Sequence, residues 1–396
     1  MRILEANPPQ DLKKIMQDIH VDKYGIDIMY PKAFTYLIKI NNISNIAANI
    51  LKQEMLSLGA DCAIARGALT GQRKKTDCLL IGNSSQFSRL NNKLRLQPFG
   101  LGKLSEELNS ALENYNRNVF VLQLGRYRLK LGQRTFIMGI VNLTPDSFSG
   151  DGLYKSQNLD YIIDYAERMV RDGADIIDTG GESSRPGARP VSIKEELERT
   201  IPVIKRLVKK IKVPISIDTY KPEVAKAALD CGASMVNDIT GLRNKKMAKV
   251  VAKYRCAVVI MHMKGRPRNM QRNPAYQSLI DDIIEYLEES IKIALDAGIN
   301  KEKIIVDPGI GFGKTLEQNL TVLKSLKEFK VLGRPIMVGT SRKSFIGKIL
   351  NEPPQNRITG TLASCVVAAG NGADILRVHD VGEVRQALKV LDAVMQ

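Results

Sequence analysis

The segment IVDPGIGFGKT, residues 305–315, ends in Gly-Lys-Thr, as the phosphate-binding loops of nucleotide hydrolases do. Those loops have the pattern G-x-x-x-x-G-K-[ST], in which backbone N–H groups surround the phosphates. The position that needs the first glycine is here Pro308. Proline has no N–H group, and its φ angle is fixed. The spacing therefore argues against a nucleotide-binding loop, and the glycines of this segment need another explanation.

Polar side chains follow most of the short apolar runs in the second part of the chain. They are Asn142, Asp178, Asp218, Asn237, Asp238, His262, Asp307, Arg342, Lys343, Arg377 and His379. One such residue is usually a turn or a helix cap, but so many together predict a polar ring. Asp218, Asn237 and Asp307 provide hydrogen-bond acceptors and an amide. This set suits the donor-rich edge of a flat heterocycle such as a pterin or guanine.

A second group in the same ring is cationic or can become so. Lys343, Arg377 and His379 suit a phosphate or a diphosphate leaving group. Asn142 could bind Mg²⁺ bridged to a phosphate, because Mg²⁺ prefers oxygen ligands. The chain has three histidines, and none are paired at i, i+4, which argues against a zinc hydrolase.

The elements that must position these residues repeat from about residue 136 onward. Each unit joins an apolar, β-branched run, typical of a parallel strand buried on both faces, to an amphipathic helix. The predicted strands are 136–142, 175–181, 214–219, 234–238, 257–263, 303–309, 335–341 and 374–380. This α/β pattern predicts a (β/α)8 TIM barrel, whose active site lies at the carboxyl ends of the strands. A doubly wound sheet is the alternative, but it usually opens with a Gly-rich loop.

The first part of the chain has a different pattern. Residues 1–117 predict a small α/β domain of unknown role, followed by a barrel domain over residues 118–396. A helix with Ser44 as its N-cap and Gly59 as its stop lies between two predicted strands. Residues 119–131 alternate apolar and polar side chains, which predicts a β-hairpin that closes the bottom of the barrel.

Composition narrows the partners and the location. The net charge is +17, but the basic residues are spread along the chain and there is no Trp. We therefore expect small anionic substrates rather than nucleic acid, although an RNA-binding or regulatory role stays open for the basic first domain. No apolar run is long enough to span a bilayer, and the N-terminus lacks a signal-peptide core. The five scattered cysteines indicate a reducing compartment. We expect a soluble, cytoplasmic protein with no membrane partner.

Eight segments of residues 119–396 resemble, in order, those of dihydropteroate synthases. They are NLTPDSFSGDG (142–152), DTGGESSRPGA (178–188), SIDTY (216–220), VNDI (236–239), MHMKGRPRNMQ (261–271), DPGIGFGKT (307–315), GTSRKSFIG (339–347) and RVHD (377–380). The combination of NxTPDSFS, GGESxRPG and DPGIGFGK is specific to that family. The resemblance implies that GFGKT is a loop after the sixth barrel strand, with Phe312 beside a pterin ring.

The resemblance also implies the reaction. Members of this family condense 6-hydroxymethyl-7,8-dihydropterin diphosphate with p-aminobenzoate, and they release diphosphate and 7,8-dihydropteroate in folate biosynthesis. A Mg²⁺ ion and a homodimer formed through barrel helices are implied as well. Another pterin-binding barrel, the methyltetrahydrofolate:corrinoid methyltransferase, is the alternative. It shares the Asp–Asn–Asp pocket but expels no diphosphate, and the SRK, RVHD and NxTPDSFS segments favour the synthase.

Site residues follow from the resemblance in four sets. The pterin pocket comprises Asp218, Asn237, Asp307, Phe312, Gly339 and Lys343. The diphosphate site comprises Asn142, also the Mg²⁺ ligand, with Arg377 and His379. The p-aminobenzoate site and its loops comprise Asp146, Phe148, Ser149, Asp151, Ser184, Arg185, Pro186, Lys343 and Ser344. The catalytic set comprises Asp218, Asp307, Lys343, Arg377 and His379.

The chain departs from the family pattern in three places. The first barrel loop reads SFSGDG where SFSDGG is usual, so that Gly150 and Asp151 are exchanged. The exchange puts the catalytic role of that carboxylate in doubt. In the second loop Ser184 replaces a common Thr and keeps the hydroxyl. Residues 1–117 have no counterpart in the minimal enzyme.

Overall fold

The structure, a computed structural model, describes residues 9–144, 159–185, 187–265, 270–271 and 274–395. Within it the chain divides into two units, Met1–Glu113 and Asn114–Gln396. The predicted domain boundary, after residue 117, lies close to this division.

The first unit contains a three-stranded antiparallel sheet. Its strands are β1 (Thr35–Ser44), β2 (Asp61–Ile64) and β3 (Lys75–Asn83), in the order β1–β3–β2. Its helices are α1 (Pro9–Asp18), α2 (Lys23–Met29), α3 (Asn45–Ser57), α4 (Arg66–Leu69) and α5 (Ser84–Leu94), and α6 (Leu101–Asn116) begins in it. The small α/β region predicted here is confirmed. Ser44 caps α3 by accepting a hydrogen bond from the N–H of Ala47, 3.2 Å away.

The second unit contains a parallel sheet that closes into a barrel. Its strands are β6 (Phe136–Asn142), β7 (Ile176–Gly180), β8 (Ile215–Asp218), β9 (Met235–Asp238), β10 (Ala257–Met261), β11 (Ile304–Asp307), β12 (Met337–Val338) and β13 (Ile375–Val378). Their order is β11–β10–β9–β8–β7–β6–β13–β12. A parallel bridge between Val306 and Ile336 joins the two ends of this order. The predicted TIM barrel is confirmed, because every predicted strand pairs with the neighbours that such a barrel requires.

Helices surround this barrel and pack their apolar stripes on the strands. They are α7 (Leu159–Arg171), α8 (Ile193–Lys210), α9 (Pro222–Asp230), α10 (Lys245–Tyr254), α11 (Leu279–Asp296), α12 (Leu316–Lys324), α13 (Ser344–Leu350), α14 (Ile358–Gly370) and α15 (Val381–Met395). In α7 the buried residues Ile162, Ile163, Ala166 and Met169 recur at helical spacing. Within the described ranges, no helix is both long and apolar enough to cross a membrane.

A hairpin covers one end of the barrel interior. Its strands, β4 (Phe120–Leu124) and β5 (Tyr127–Leu131), pair antiparallel. Leu122, Leu124 and Leu131 are buried in one apolar cluster with residues from the amino-terminal halves of the barrel strands, such as Met138 and Ile176. The predicted closing hairpin is therefore confirmed, and the opposite, carboxyl end of the barrel is left for polar side chains.

Candidate active site

The barrel register brings the polar strand ends together. Asn142, Asp218, Asp238 and Asp307 are each the last residue of their strands. Asp218 pairs in register with Asn237 of the neighbouring strand. Because all the barrel strands run in parallel, their carboxyl ends meet at one mouth of the barrel.

Arg377 of β13 is the ion-pairing centre of this mouth. Its Nε donates to Oδ2 of Asp178 and its Nη2 donates to Oδ2 of Asp218, each at 2.7 Å. Nδ2 of Asn237 donates to the same Asp178 oxygen at 3.3 Å. Oδ1 of Asp178 is buried and has no hydrogen-bond partner among the described residues. Arg377, which the sequence analysis assigned to the diphosphate site, is thus held by carboxylates, one of which, Asp218, was assigned to the pterin pocket. Asp178 was not among the predicted site residues, but the structure places it in this cluster.

Burial changes the protonation of the acidic side chains at this mouth. Burial raises the pKa of Asp218, and the positive charge of Arg377 opposes the rise. The pKa of Asp307 is also raised by burial, against the charge of Lys343 and a hydrogen bond from the Gly309 N–H. The neighbouring cations limit the rise but do not cancel it, so that the pKa of both carboxyl groups stays above its ordinary value.

The loop after β11 explains the glycines of GIGFGKT. Gly309, Gly311 and Gly313 have φ angles of 71°, 83° and 60°. A Cβ atom at Gly309 would lie 1.9 Å from the carbonyl oxygen of His262, which no side chain allows. Oδ1 of Asp307 accepts a hydrogen bond from the Gly309 N–H at 2.7 Å. The glycines thus let the backbone turn closely around Asp307 and against the neighbouring strand end.

Lys314 turns back into this loop. Its Nζ donates to the carbonyl oxygens of Gly309, at 2.9 Å, and Phe312, at 3.2 Å. It also lies 2.9 Å from Nδ1 of His262. Burial lowers the pKa of Lys314 to about 7, although the charge of Asp307 opposes the shift. The lysine therefore stabilises its own loop instead of facing a phosphate, a role that the predicted site did not include.

Phe312 and Lys343 lie together at the edge of an apolar wall. Phe312 packs against the buried cluster of Ile239, Met261, Met263 and Met270. Nζ of Lys343 lies 4.9 Å from the centre of the Phe312 ring and donates to the carbonyl oxygen of Ile310. Burial lowers the pKa of Lys343 to about 8, and Asp307 opposes the shift. Gly339 is close as well, since a Cβ there would lie 3.7 Å from Nζ of Lys343.

His379 lies between Asn142 and Ser341. Its Nε2 is 3.3 Å from Nδ2 of Asn142, and its Nδ1 is 3.0 Å from Oγ of Ser341. Burial and the charges of Arg342 and Arg377 hold the pKa of His379 well below its usual value. The ring is therefore neutral at pH 7, so that it acts as a hydrogen-bonding group and not as a cation. Ser341 was not predicted, although it directly precedes the RK pair of GTSRKS.

Two other charged residues of the polar ring serve the fold. Asp238 accepts hydrogen bonds from the N–H groups of Thr240, at 2.8 Å, and Leu242, at 3.1 Å. Arg342 makes a two-pronged ion pair with Asp380, at 3.0 and 2.5 Å. These two residues hold the turns that follow β9 and β12.

Part of the predicted p-aminobenzoate site lies outside the described residues. Those positions are Asp146, Phe148, Ser149, Asp151 and Pro186, and the Gly150–Asp151 exchange lies there too. Ser184 and Arg185 are described and half-buried in the loop after β7. Ser344 is exposed as the first residue of α13, directly after Lys343.

Comparisons with known proteins agree with this architecture. Residues 138–379 match the protein family described as "Pterin binding enzyme". The dihydropteroate synthase of Synechocystis sp. is 49% identical over 275 residues, which cover 69% of this chain and 94% of that protein. A crystal structure of Yersinia pestis dihydropteroate synthase with a sulfonamide drug complex has a TM-score of 0.67 and 43% identity, and covers 69% of this chain and 99% of that one.

One relative extends over the first unit as well. A probable bifunctional folylpolyglutamate synthase/dihydropteroate synthase of Halobacterium salinarum is 38% identical over 383 residues. The match covers 97% of this chain but only 46% of that protein. It therefore includes most of the first 113 residues, so that the extra unit has a counterpart in a longer relative. From the family match and these relatives together, the chain belongs to the dihydropteroate synthase family of pterin-binding enzymes.

Proposed function

We propose that this protein condenses 6-hydroxymethyl-7,8-dihydropterin diphosphate with p-aminobenzoate, giving 7,8-dihydropteroate and diphosphate in folate biosynthesis. The observation that carries the proposal is the mouth of the barrel. There, buried acceptors stand beside an apolar wall and next to two basic side chains, Arg377 and Lys343.

The acceptor half suits the pterin ring. Asp218, Asn237 and Asp307 would receive hydrogen bonds from the ring N–H and amino groups, since carboxylates only accept. Phe312 and the methionines beside it would contact the flat face of the ring. Lys343, next to Phe312 and Gly339, would donate to a ring acceptor. The pocket thereby matches a flat heterocycle with a polar edge and one face against an apolar wall.

The cationic half suits the leaving group. In the reaction the bond between the pterin methylene and the diphosphate oxygen breaks, and its electron pair leaves with the diphosphate. Arg377 and Lys343 would stabilise this charge, while Asn142 and neutral His379 would bind phosphate oxygens. Asp218 and Asp307 would lie near the positive charge that develops on the pterin methylene. An S_N1-like path follows from this arrangement of charges.

The amine of p-aminobenzoate needs no strong base, because an aromatic amine is already nucleophilic. It forms the new C–N bond and loses one proton. The task left to the protein is to position the amine, which alone supplies a large rate factor. We assign this task to Ser184, Arg185, Pro186 and Ser344, together with the first loop, whose predicted residues are Asp146, Phe148, Ser149 and Asp151.

Magnesium fits this site only as a partner of the diphosphate. Among the described residues, no group of three or more His, Cys, Asp or Glu side chains is arranged to hold a metal. Asn142 offers one neutral oxygen, and Mg²⁺ commonly keeps waters and takes substrate phosphates as its other ligands. When bound, the ion would neutralise charge on the departing diphosphate.

We also propose a homodimer through the helices after β11 and β12. Leu320 of α12, Ile349 of α13 and Val367 of α14 are exposed apolar side chains, and α14 packs against both other helices. A patch of this kind marks an interaction surface. Light scattering should give twice the chain mass, and Val367→Glu should give the monomer.

The reducing, cytoplasmic location also stays a proposal, supported by five free cysteines.

The decisive experiment measures diphosphate release. The purified protein is incubated with the pterin diphosphate, Mg²⁺ and p-aminobenzoate, and dihydropteroate is identified by mass. Release must depend on p-aminobenzoate. If both substrates are present and no dihydropteroate forms, the proposed function is wrong.

A further inference from the structure

A buried ion cluster lies under the loop that follows β7. Its centre is Lys221, the residue before Pro222 at the start of α9. Nζ of Lys221 donates to Oε2 of Glu182, to the carbonyl oxygen of Val191 at 2.6 Å and to Oε2 of Glu196 at 2.5 Å. The side chains of Lys221, Glu182 and Glu196 are 11%, 13% and 1% exposed. Such an ion cluster exchanges little with solvent and holds its members in one geometry.

The partners of Lys221 stand at both ends of one loop. Glu182 comes one residue after Gly181, where the loop leaves the barrel, and Val191 comes just before Ser192, the N-cap of α8. A single ammonium group therefore ties the first and the last residues of the loop to each other. Glu196, on the first turns of α8, ties the loop to the helix that follows it.

Neighbouring side chains reinforce the same anchor. The Tyr220 O–H donates to Oε1 of Glu182 at 2.9 Å, so that both oxygens of this carboxylate are bound. Arg199 of α8 donates to the carbonyl oxygen of Gly181 at 2.7 Å. The segment between Glu182 and Val191 carries Ser184 and Arg185. None of the anchoring side chains belongs to the predicted site, and the mechanism above uses none of them.

We infer that Lys221 is a positioning residue that sets the conformation of this second loop for the binding of p-aminobenzoate. The inference rests on the proposed function, because it concerns the second substrate of that reaction. Lys221 contacts the two ends of the loop and is not part of the proposed pterin pocket, whose acceptors are Asp218, Asn237 and Asp307. Loss of its charge should therefore weaken the use of p-aminobenzoate and leave the binding of the pterin unchanged.

The test compares Lys221→Met with a matched control, Lys226→Met. Lys226 lies on α9 in an exposed ion pair with Asp230 at 2.7 Å. Lys221→Met should raise the KM for p-aminobenzoate about tenfold or more, as loss of a buried charged partner predicts. The Kd of the pterin substrate, measured by calorimetry without p-aminobenzoate, should stay at the wild-type value. Lys226→Met should change neither quantity. Lys221→Arg keeps the charge, so its KM for p-aminobenzoate should lie between that of the wild type and that of Lys221→Met.

Two further measurements keep the outcome decisive. If Lys221→Met does not fold, Glu182→Gln replaces it, because this change removes one charge of the cluster and preserves the shape of the side chain. A raised KM for p-aminobenzoate in that variant supports the inference, and an unchanged KM overturns it. An unchanged KM in a folded Lys221→Met protein also overturns it, as does an equal loss of pterin affinity. The wild-type protein is assayed in parallel, so that its inactivity would overturn the proposed function itself.

Discussion

The guanidinium group of Arg377 binds the carboxylate of Asp218 across 2.7 Å. This ion pair joins the proposed leaving-group half of the site to the proposed pterin half. Asp178, at the same distance from Arg377, completes the link. The position of the cation is therefore set before any substrate arrives, and such preorganisation lets a charge stabilise a transition state without reorganising.

Arg377→Ala should lower kcat strongly. One well-placed charge-assisted contact to a developing anion contributes about 2–4 kcal/mol, which is on the order of 10²–10³ in rate. Single-turnover release of diphosphate measures this loss. The matched control is Arg385→Ala, because Arg385 is similarly buried and pairs with Asp175 at 2.7 Å. That variant should lose stability but keep kcat. Equal kcat values for Arg377→Ala and the wild type would remove Arg377 from the diphosphate site.

Asp307→Asn should weaken binding of the pterin. The amide would present N–H groups towards the donors of the ring, and a buried donor without an acceptor costs about 1–3 kcal/mol. The Kd measured by calorimetry should rise at least about tenfold, the equivalent of about 1.4 kcal/mol. Asp374→Asn is the control, since Asp374 accepts the Ile336 N–H at 2.8 Å before β13 begins. If both variants bind the pterin as the wild type does, the heterocycle lies elsewhere.

The sequence predicts the barrel and its polar mouth well, for a physical reason. Strands buried on both faces are continuous apolar runs, and their ends are polar wherever the chain meets solvent or ligand. Each strand could therefore be located from a few neighbouring residues. The same local reasoning cannot say which partner a side chain reaches across the barrel. Arg377 and Asp178 are 199 positions apart, so their pairing depends on the closed barrel and not on any spacing.

Lys314 and Lys221 show a second limit of sequence reasoning. Pro308 argues against a nucleotide loop, but it does not indicate where the lysine side chain lies. Lys314 donates to backbone carbonyls of its own loop, and backbone acceptors leave no mark in a sequence. Lys221 binds Val191 in the same way. A search for sequence motifs therefore does not find residues that position a loop by hydrogen bonds to its backbone.

The buried Lys314 should make stability depend on pH. Its pKa falls from 10.5 to about 7 in the folded chain, chiefly through burial. Between these two values the unfolded chain binds more protons than the folded one, so that stability should rise with pH from about 7 to about 10. Lys314→Met removes this contribution. In urea unfolding, the stability of the wild type relative to the variant should grow between pH 7 and pH 9. A difference that does not change with pH would mean that burial does not lower the pKa of Lys314.

The first unit should be dispensable for turnover. Its apolar core, which includes Leu51, Leu80 and Leu90, is a separate cluster from those of the barrel. The first residue proposed for the chemistry is Asn142, well after the end of this unit. A protein that begins at Asn114 should therefore fold and retain its kcat, as measured by circular dichroism and by steady-state assay at saturating substrates. A folded but inactive protein would make the first unit part of the active site.

The place of the cut should matter for stability. Nδ2 of Asn114 donates to the carbonyl oxygen of Val331 at 2.9 Å, and Arg117 pairs with Glu302 at 2.8 Å. A protein that begins at residue 118, the boundary predicted from the sequence, loses both contacts. Because one hydrogen bond contributes about 1 kcal/mol and an exposed ion pair less, it should unfold at a lower urea concentration than the protein that begins at Asn114. Equal midpoints for the two proteins would place the boundary of the barrel after Arg117, and a lower midpoint for the shorter one would place it before Asn114.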